Sequence, residues 1–209
     1  MTNLFKITAA LILAAATFAS SAAFAQRGNI LFLDQQRVVS ESQAGQSIDS
    51  QLRVMTEEIA VKIKQQQSAI EAESIKLRDE RGDLTDEEFQ QRYQTILAAA
   101  QSLEKLKQIR EAEMTQARGT AIQELREQWE PISEAVFKKR KGYVLLEKQA
   151  VLAADDRGDI TDEVIAQLDK VVQRIQVNKP DLIAAAAAAQ QQQQAAAQAQ
   201  LGEAAPAQQ

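Results

Sequence analysis

The 209-residue chain contains no cysteine and no histidine. Without cysteine there is no disulfide and no thiolate metal site. Without histidine the commonest general base and metal ligand are gone, and Ser-His-Asp or Cys-His catalytic arrangements are excluded. Proline is also scarce: three in all, none between Gln26 and Glu130. Aromatic residues make up only 4% of the chain, fewer than the core of a large globule normally holds. Positive charge is in the minority, with 24 Lys+Arg against 29 Asp+Glu and a net of −5. That balance argues against nucleic acid, which attracts a basic stripe. An aliphatic, charged, glutamine-rich and nearly proline-free chain suggests long helices.

The first residues read as an address. Lys6 gives a short positive start, residues 7–19 (ITAALILAAATFA) are continuously apolar, and Ala23-Phe24-Ala25 supplies small-x-small before a cut. This is the pattern of a secretory signal peptide over residues 1–25, with Gln26 first in the mature chain. The apolar run is shorter than the roughly 20 residues of a transmembrane span. An exported, soluble product follows as the expectation.

Two stretches, 46–80 and 85–129, carry apolar residues at spacings of three and four. Ile48, Leu52, Met55, Ile59, Ile63, Ile70 and Leu77 mark the first; Phe89, Tyr93, Ile96, Ala100 and Leu103 mark the second. Ile122, Leu125, Trp129, Ile132 and Val136 continue the pattern. A seam this narrow holds one partner helix and cannot close a globule. Between the stretches lies RGDLTDEE (81–88), and the chain repeats the phrase as RGDITDEV at 157–164. As a cell-adhesion signal the tripeptide is weak; each copy has a local use instead. Gly82 is expected to end the first helix in the left-handed region, and Thr85 with Glu88 forms a capping box for the second. In the other copy Gly158 turns and Thr161 caps a helix running to about Val177, without the third-position Glu. Pro131 is expected to kink the long helix or restart it.

Three short apolar runs read as strands: 29–33, 143–147 and 150–154, the last two forming a hairpin across Lys148-Gln149. Three strands make a thin core whose edges call for oligomerisation, and Ile30, Phe32, Val144, Leu145, Leu146, Val151 and Leu152 are the expected interface residues. The basic run 138–141 complements a helix C-terminus at Gly142, with anion binding as the other use. Asp155, Asp156 and Asp159 do not have the spacing of a calcium loop, and no cofactor, metal or catalytic residue is expected. From Ala184 all but four residues are Ala or Gln, a composition that buries no core and suggests a flexible tail.

The start NILFLDQQRVVSESQAGQSI and the end GYVLLEKQAVLAADDRGDITDEVIAQLDKV, on either side of a long helical hairpin, resemble the OmpH family of periplasmic chaperones over roughly residues 29–177. The resemblance implies a mostly α fold with a small β part. A β body (26–43 and 139–178) carries the helical hairpin (44–138) as a tentacle, followed by the tail (179–209). It further implies a homotrimer that holds unfolded outer-membrane β-barrel proteins without ATP and passes them to the outer-membrane assembly machinery. Met55 and Met114, together with the off-seam Val61, Ile75 and Ile109, are then the expected client contacts. Residues 71–92 carry eight acids and four basic residues, where the family is often basic, which puts membrane contact at the hairpin tip in doubt. The other reading is a structural coiled-coil tether or scaffold in the envelope.

Overall fold

The structure is a computed structural model that describes residues 29–203. The signal-peptide reading falls on residues outside that range. In chain order the elements are β1 (Asn29–Leu33), α1 (Gln35–Glu41), α2 (Gln43–Asp79), α3 (Asp86–Lys139), β2 (Gly142–Glu147), α4 (Thr161–Val171) and α5 (Leu182–Glu203), with short 3-10 turns at Arg81–Asp83, Lys148–Ala150 and Asp156–Gly158. No described helix is long and apolar enough to cross a membrane.

β1 and β2 pair in parallel, Ile30 beside Val144 and Leu33 beside Glu147. A parallel pair needs a long crossover, and here that crossover is the whole of α1, α2 and α3. At 1.5 Å per residue α2 spans about 55 Å and α3 about 80 Å. They run back along each other, with Arg92 paired to Glu73 near the turn and Arg118 to Asp49 near the base. Ser42 breaks α1 from α2 and accepts from the Gly45 N–H. The break brings Gly45 against Val39, where an added Cβ would lie 1.6 Å from the Val39 carbonyl oxygen.

The turn at the far end follows the capping box. The Thr85 hydroxyl accepts from the Glu88 N–H and the Glu88 carboxylate accepts from the Thr85 N–H. No described glycine has positive φ, so Gly82 sits in a 3-10 turn and not in the left-handed region. Among the described residues the left-handed one is Lys141, one position before the glycine expected to stop α3. Pro131 neither ends nor restarts α3, which runs through it.

Four further expectations are corrected. The segment 150–154 is not a strand. After β2 the chain turns away, its Lys148 ammonium held by Asp159 and its Gln149 amide by Gln36. It crosses to the other edge of β1, where the Ile160 N–H donates to the Phe32 carbonyl. Thr161 is not the cap of α4; it is the first helical residue, its N–H donates to the Asp159 carboxylate, and its hydroxyl accepts from the Asp34 N–H. α4 ends at Val171, and residues 172–181 form an extended strap with Ile175 and Val177 buried. The Ala/Gln segment, in turn, is helical as α5.

The core lies at the base of the helix pair. Leu31, Leu33, Val38, Ile48 and Leu52 meet Leu125, Trp129, Val136, Ile160, Val164 and Leu168 there. Glycines separate two packing environments along the chain. Gly45→Ala is expected to lower stability by about 3 kcal/mol, since the added methyl meets backbone. Gly119→Ala, with nothing within 4 Å, is expected to raise it by about 1 kcal/mol through helix propensity. Urea unfolding of the two variants checks both signs.

Candidate interaction surfaces

Side chains alternate across a strand, and the two-stranded sheet is apolar on both faces. Leu31, Leu33 and Leu145 turn toward the helices and join the core. Ile30, Phe32, Val144 and Leu146 share the other face. Phe32 is covered by the Asp156–Gly158 turn, where an added Gly158 Cβ would sit 2.8 Å from its ring. Ile30, at 55% exposure, and Leu146 are not covered. The outer edge of β2 has no strand partner among the described residues, and Tyr143 of that strand is exposed. Of the seven expected interface residues, Ile30, Val144 and Leu146 lie on this outer face, while Val151 and Leu152 follow β2 outside any strand. Leu145 and Phe32 belong to the protomer itself.

The basic run at the end of α3 is used internally. Lys139 and Arg140 both reach Glu163 of α4, Lys138 pairs with Glu134, and the Arg140 guanidinium donates to the Arg157 carbonyl. Asp155 is taken by Arg157, which with the Arg157 backbone N–H holds its carboxyl down at about 2.

The arm formed by α2 and α3 is packed unevenly. Along its lower half α3 presents Glu113, Ala117, Ala121, Leu125, Trp129 and Ser133, all buried at intervals of four. Alanine lets α2 and the strap come close. The strap climbs this groove from the base. The Ser47 hydroxyl accepts from the Ile175 N–H, the Gln51 amide donates to the Ile175 carbonyl, and the Gln51 carbonyl oxygen accepts from the Val177 N–H. It ends at Glu113, which is fully buried and takes Lys179 at 2.6 Å, Arg110 at 2.7 Å and the Leu182 N–H at 3.1 Å. Burial alone would raise the Glu113 carboxyl; the hydrogen bonds from Lys179, Arg110 and the Leu182 N–H outweigh it and hold it below the usual carboxylate range.

Above Glu113 the seam is thin. Leu103 and Leu77 are the buried apolar side chains of the upper half among the described residues. Cavities of about 350 and 310 Å³ open around Ile59 and Ile63. Val54, Val61, Ile75, Tyr93 and Leu97 are exposed. At the tip Phe89 and Tyr93 stack at 6.3 Å and Arg81 lies 4.6 Å over the Phe89 ring. Of the expected client contacts, Val61 and Ile75 are free on the surface of α2. Met55 and Met114 are half-buried against the core, and Ile109 is half-buried. Glu113, Ala117 and Ala121 were not legible as a seam from apolar periodicity, because none counts as a large apolar residue. Their spacing of four, leading into Leu125 and Trp129, is the signal that carries them.

Among the described residues the fold is a small mixed body with an open, apolar strand edge, bearing a long two-helix arm. The chain belongs to the OmpH family: the model for outer membrane protein (OmpH-like) matches residues 29–168. Among solved structures it is similar to the crystal structure of a candidate outer membrane chaperone (OmpH-like) from Caulobacter crescentus CB15. The TM-score is 0.70 and the identity 21%, covering 74% of this chain and 91% of that one. No match is found among the curated proteins.

The clamp at Glu113 has a pH signature. A carboxyl lowered by folding contributes stability above its unfolded value, near 4.5, and loses it as pH falls through the folded one. Glu113→Gln is therefore expected to cost about 1–3 kcal/mol at pH 7, with the gap to the parent protein closing below about pH 4. Urea unfolding across that range measures it.

Proposed function

We propose that this protein is an ATP-independent periplasmic holdase. It is a homotrimer joined through the β2 edges of its bodies. Its three arms act as tentacles around unfolded outer-membrane β-barrel proteins, which then pass to the outer-membrane assembly machinery. The observation that carries this reading is the apolar surface of the upper arm, where Val61, Ile75, Tyr93 and Leu97 stay exposed on helices with little core of their own. Such a surface makes many weak contacts that no single client sequence has to match. The body supports the trimer: a two-stranded sheet with an open edge is marginal alone, and pairing between copies would remove the edge. The acidic tip supports contact with protein over contact with an anionic membrane. A coiled-coil tether would have no use for the sheet.

Sedimentation of the purified protein, alone and with a urea-unfolded β-barrel diluted into it, tests the proposal. A trimer that keeps the barrel soluble without nucleotide is expected; a dimeric rod that lets it aggregate would favour the tether. Leu146→Asp places a charge on the outer sheet face without entering the protomer core. It is expected to yield folded monomer, whereas a trimer in that variant would overturn the assembly. Removal of residues 184–209 is expected to leave the trimer intact.

A further inference from the structure

α5 has no part in the core or in the sheet, yet its root is fixed. The strap delivers Leu182 to Glu113, midway along α3, after climbing from the base toward the tip. From Glu113 to the start of α3 is about 40 Å of helix. The 22 residues of α5 span about 33 Å. The helix thus has the length to run along the upper arm from where it is rooted. It carries no charge from Leu182 to Gly202 and is built of good helix formers.

Beside that root lies an unpartnered stripe. On α2, Val54, Val61, Ser68 and Ile75 recur every seven residues, and the three apolar ones are exposed. Glu58 and Lys62 line both the cavity that holds Lys179 and Asp181 and the groove along Val54 and Val61. Val54 also shares a groove with Arg174 and Gln176 of the strap. The stripe is therefore the continuation of the track that the strap already occupies. Three β-branched residues and one serine at two-turn intervals, between long polar side chains, suit a helix rich in alanine, which can approach closely.

We propose that α5 is a tethered occupant of this stripe. It lies down along Val54, Val61 and Ile75 when no client is bound, and an unfolded client displaces it. The displacement rests on the holdase reading; the docking does not. A segment rooted next to its site has an effective concentration on the order of millimolar, so contacts too weak to hold a free peptide suffice. Their weakness also makes the occupant replaceable. In the structure α5 is exposed from Ile183 to Ala196, and the docked position is reached by a swing about its root at Leu182.

The chain has no cysteine, so two introduced ones are labelled uniquely. Ala69 is exposed on α2 and flanks the stripe without belonging to it. The full-length chain carrying Ala69→Cys and Gln192→Cys, spin-labelled and diluted into excess cysteine-free protein, reports the distance within one copy. A population at about 10–20 Å, as for packed helices, is expected, together with its loss in a Val61→Asp background. Only long, broad distances in the parent background would overturn the docking, as would a short one that Val61→Asp leaves in place. A short distance seen only without the diluting protein would assign the stripe to a neighbouring copy and overturn the proposal equally. Addition of a urea-unfolded β-barrel is expected to remove the short population. If the barrel is held in solution and the short population persists, tail and client do not share the site and the displacement is refuted. If the barrel aggregates, the holdase reading fails while the docking result stands.

Discussion

Close packing along one row of α3, its residues spaced by four, is the constraint on which the molecule depends. Ala117 and Ala121 leave room for α2 and for the strap, and Leu125, Trp129 and Val136 fill the base against both strands and α4. Glu113 ends the row. A buried carboxylate is tolerable only when its hydrogen-bonding capacity is met, and its partners come from α3 itself and from the chain 66 and 69 residues later. Segments remote in sequence thereby converge on a single helix face. The parallel sheet follows from the same arrangement, because both strands must start where the arm is rooted.

Above Glu113 the arm is held by other means. Its cross-helix pairs, such as Arg92 with Glu73 and Glu80, are partly exposed, and exposed ion pairs contribute about 0–1 kcal/mol each. Buried apolar contact is sparse there, so local opening costs less than at the base. The base is a rigid mount and the upper arm is a compliant, partly apolar surface. The proposed holdase role uses that division, since the mount fixes the arm without fixing the geometry of the contact.

Much of the architecture was legible in the sequence, because large apolar residues at helical spacing announce a helix pair. The α2 seam from Ile48 to Leu77 and the Thr85–Glu88 box follow from periodicity and capping chemistry alone. The parallel pairing was not legible. Residues 150–154 have strand composition, but Lys148 and Gln149 are tied to Asp159 and Gln36, and those tertiary contacts carry the chain across the sheet instead of back along it. Among the candidate site residues, Val61 and Ile75 are exposed as their off-seam positions suggested. Met55 and Met114 face inward, since a residue that suits a client by flexibility suits a gap in the seam equally well. The clamp at Glu113 escaped because an acid in a long charged helix reads as solvated until the strap is in place.

The repeated phrase shows how little a short motif determines by itself. In RGDLTDEE, Glu88 sits three residues after Thr85 and the two close a box, so threonine stays outside the helix as its cap. In RGDITDEV that place belongs to Val164, which is fully buried in the core and cannot return a hydrogen bond. Asp159 supplies the acceptor instead, receiving the Thr161 N–H at 2.8 Å. Thr161 is drawn into the first turn, and its hydroxyl is left to accept from the Asp34 N–H at the end of β1. With Val164 in the place of Glu88, the second copy is a tie between α4 and the sheet where the first is a self-contained cap at the tip of the arm. The body needs that tie, because α4 must be fixed for the strap that follows it to start its climb toward Glu113.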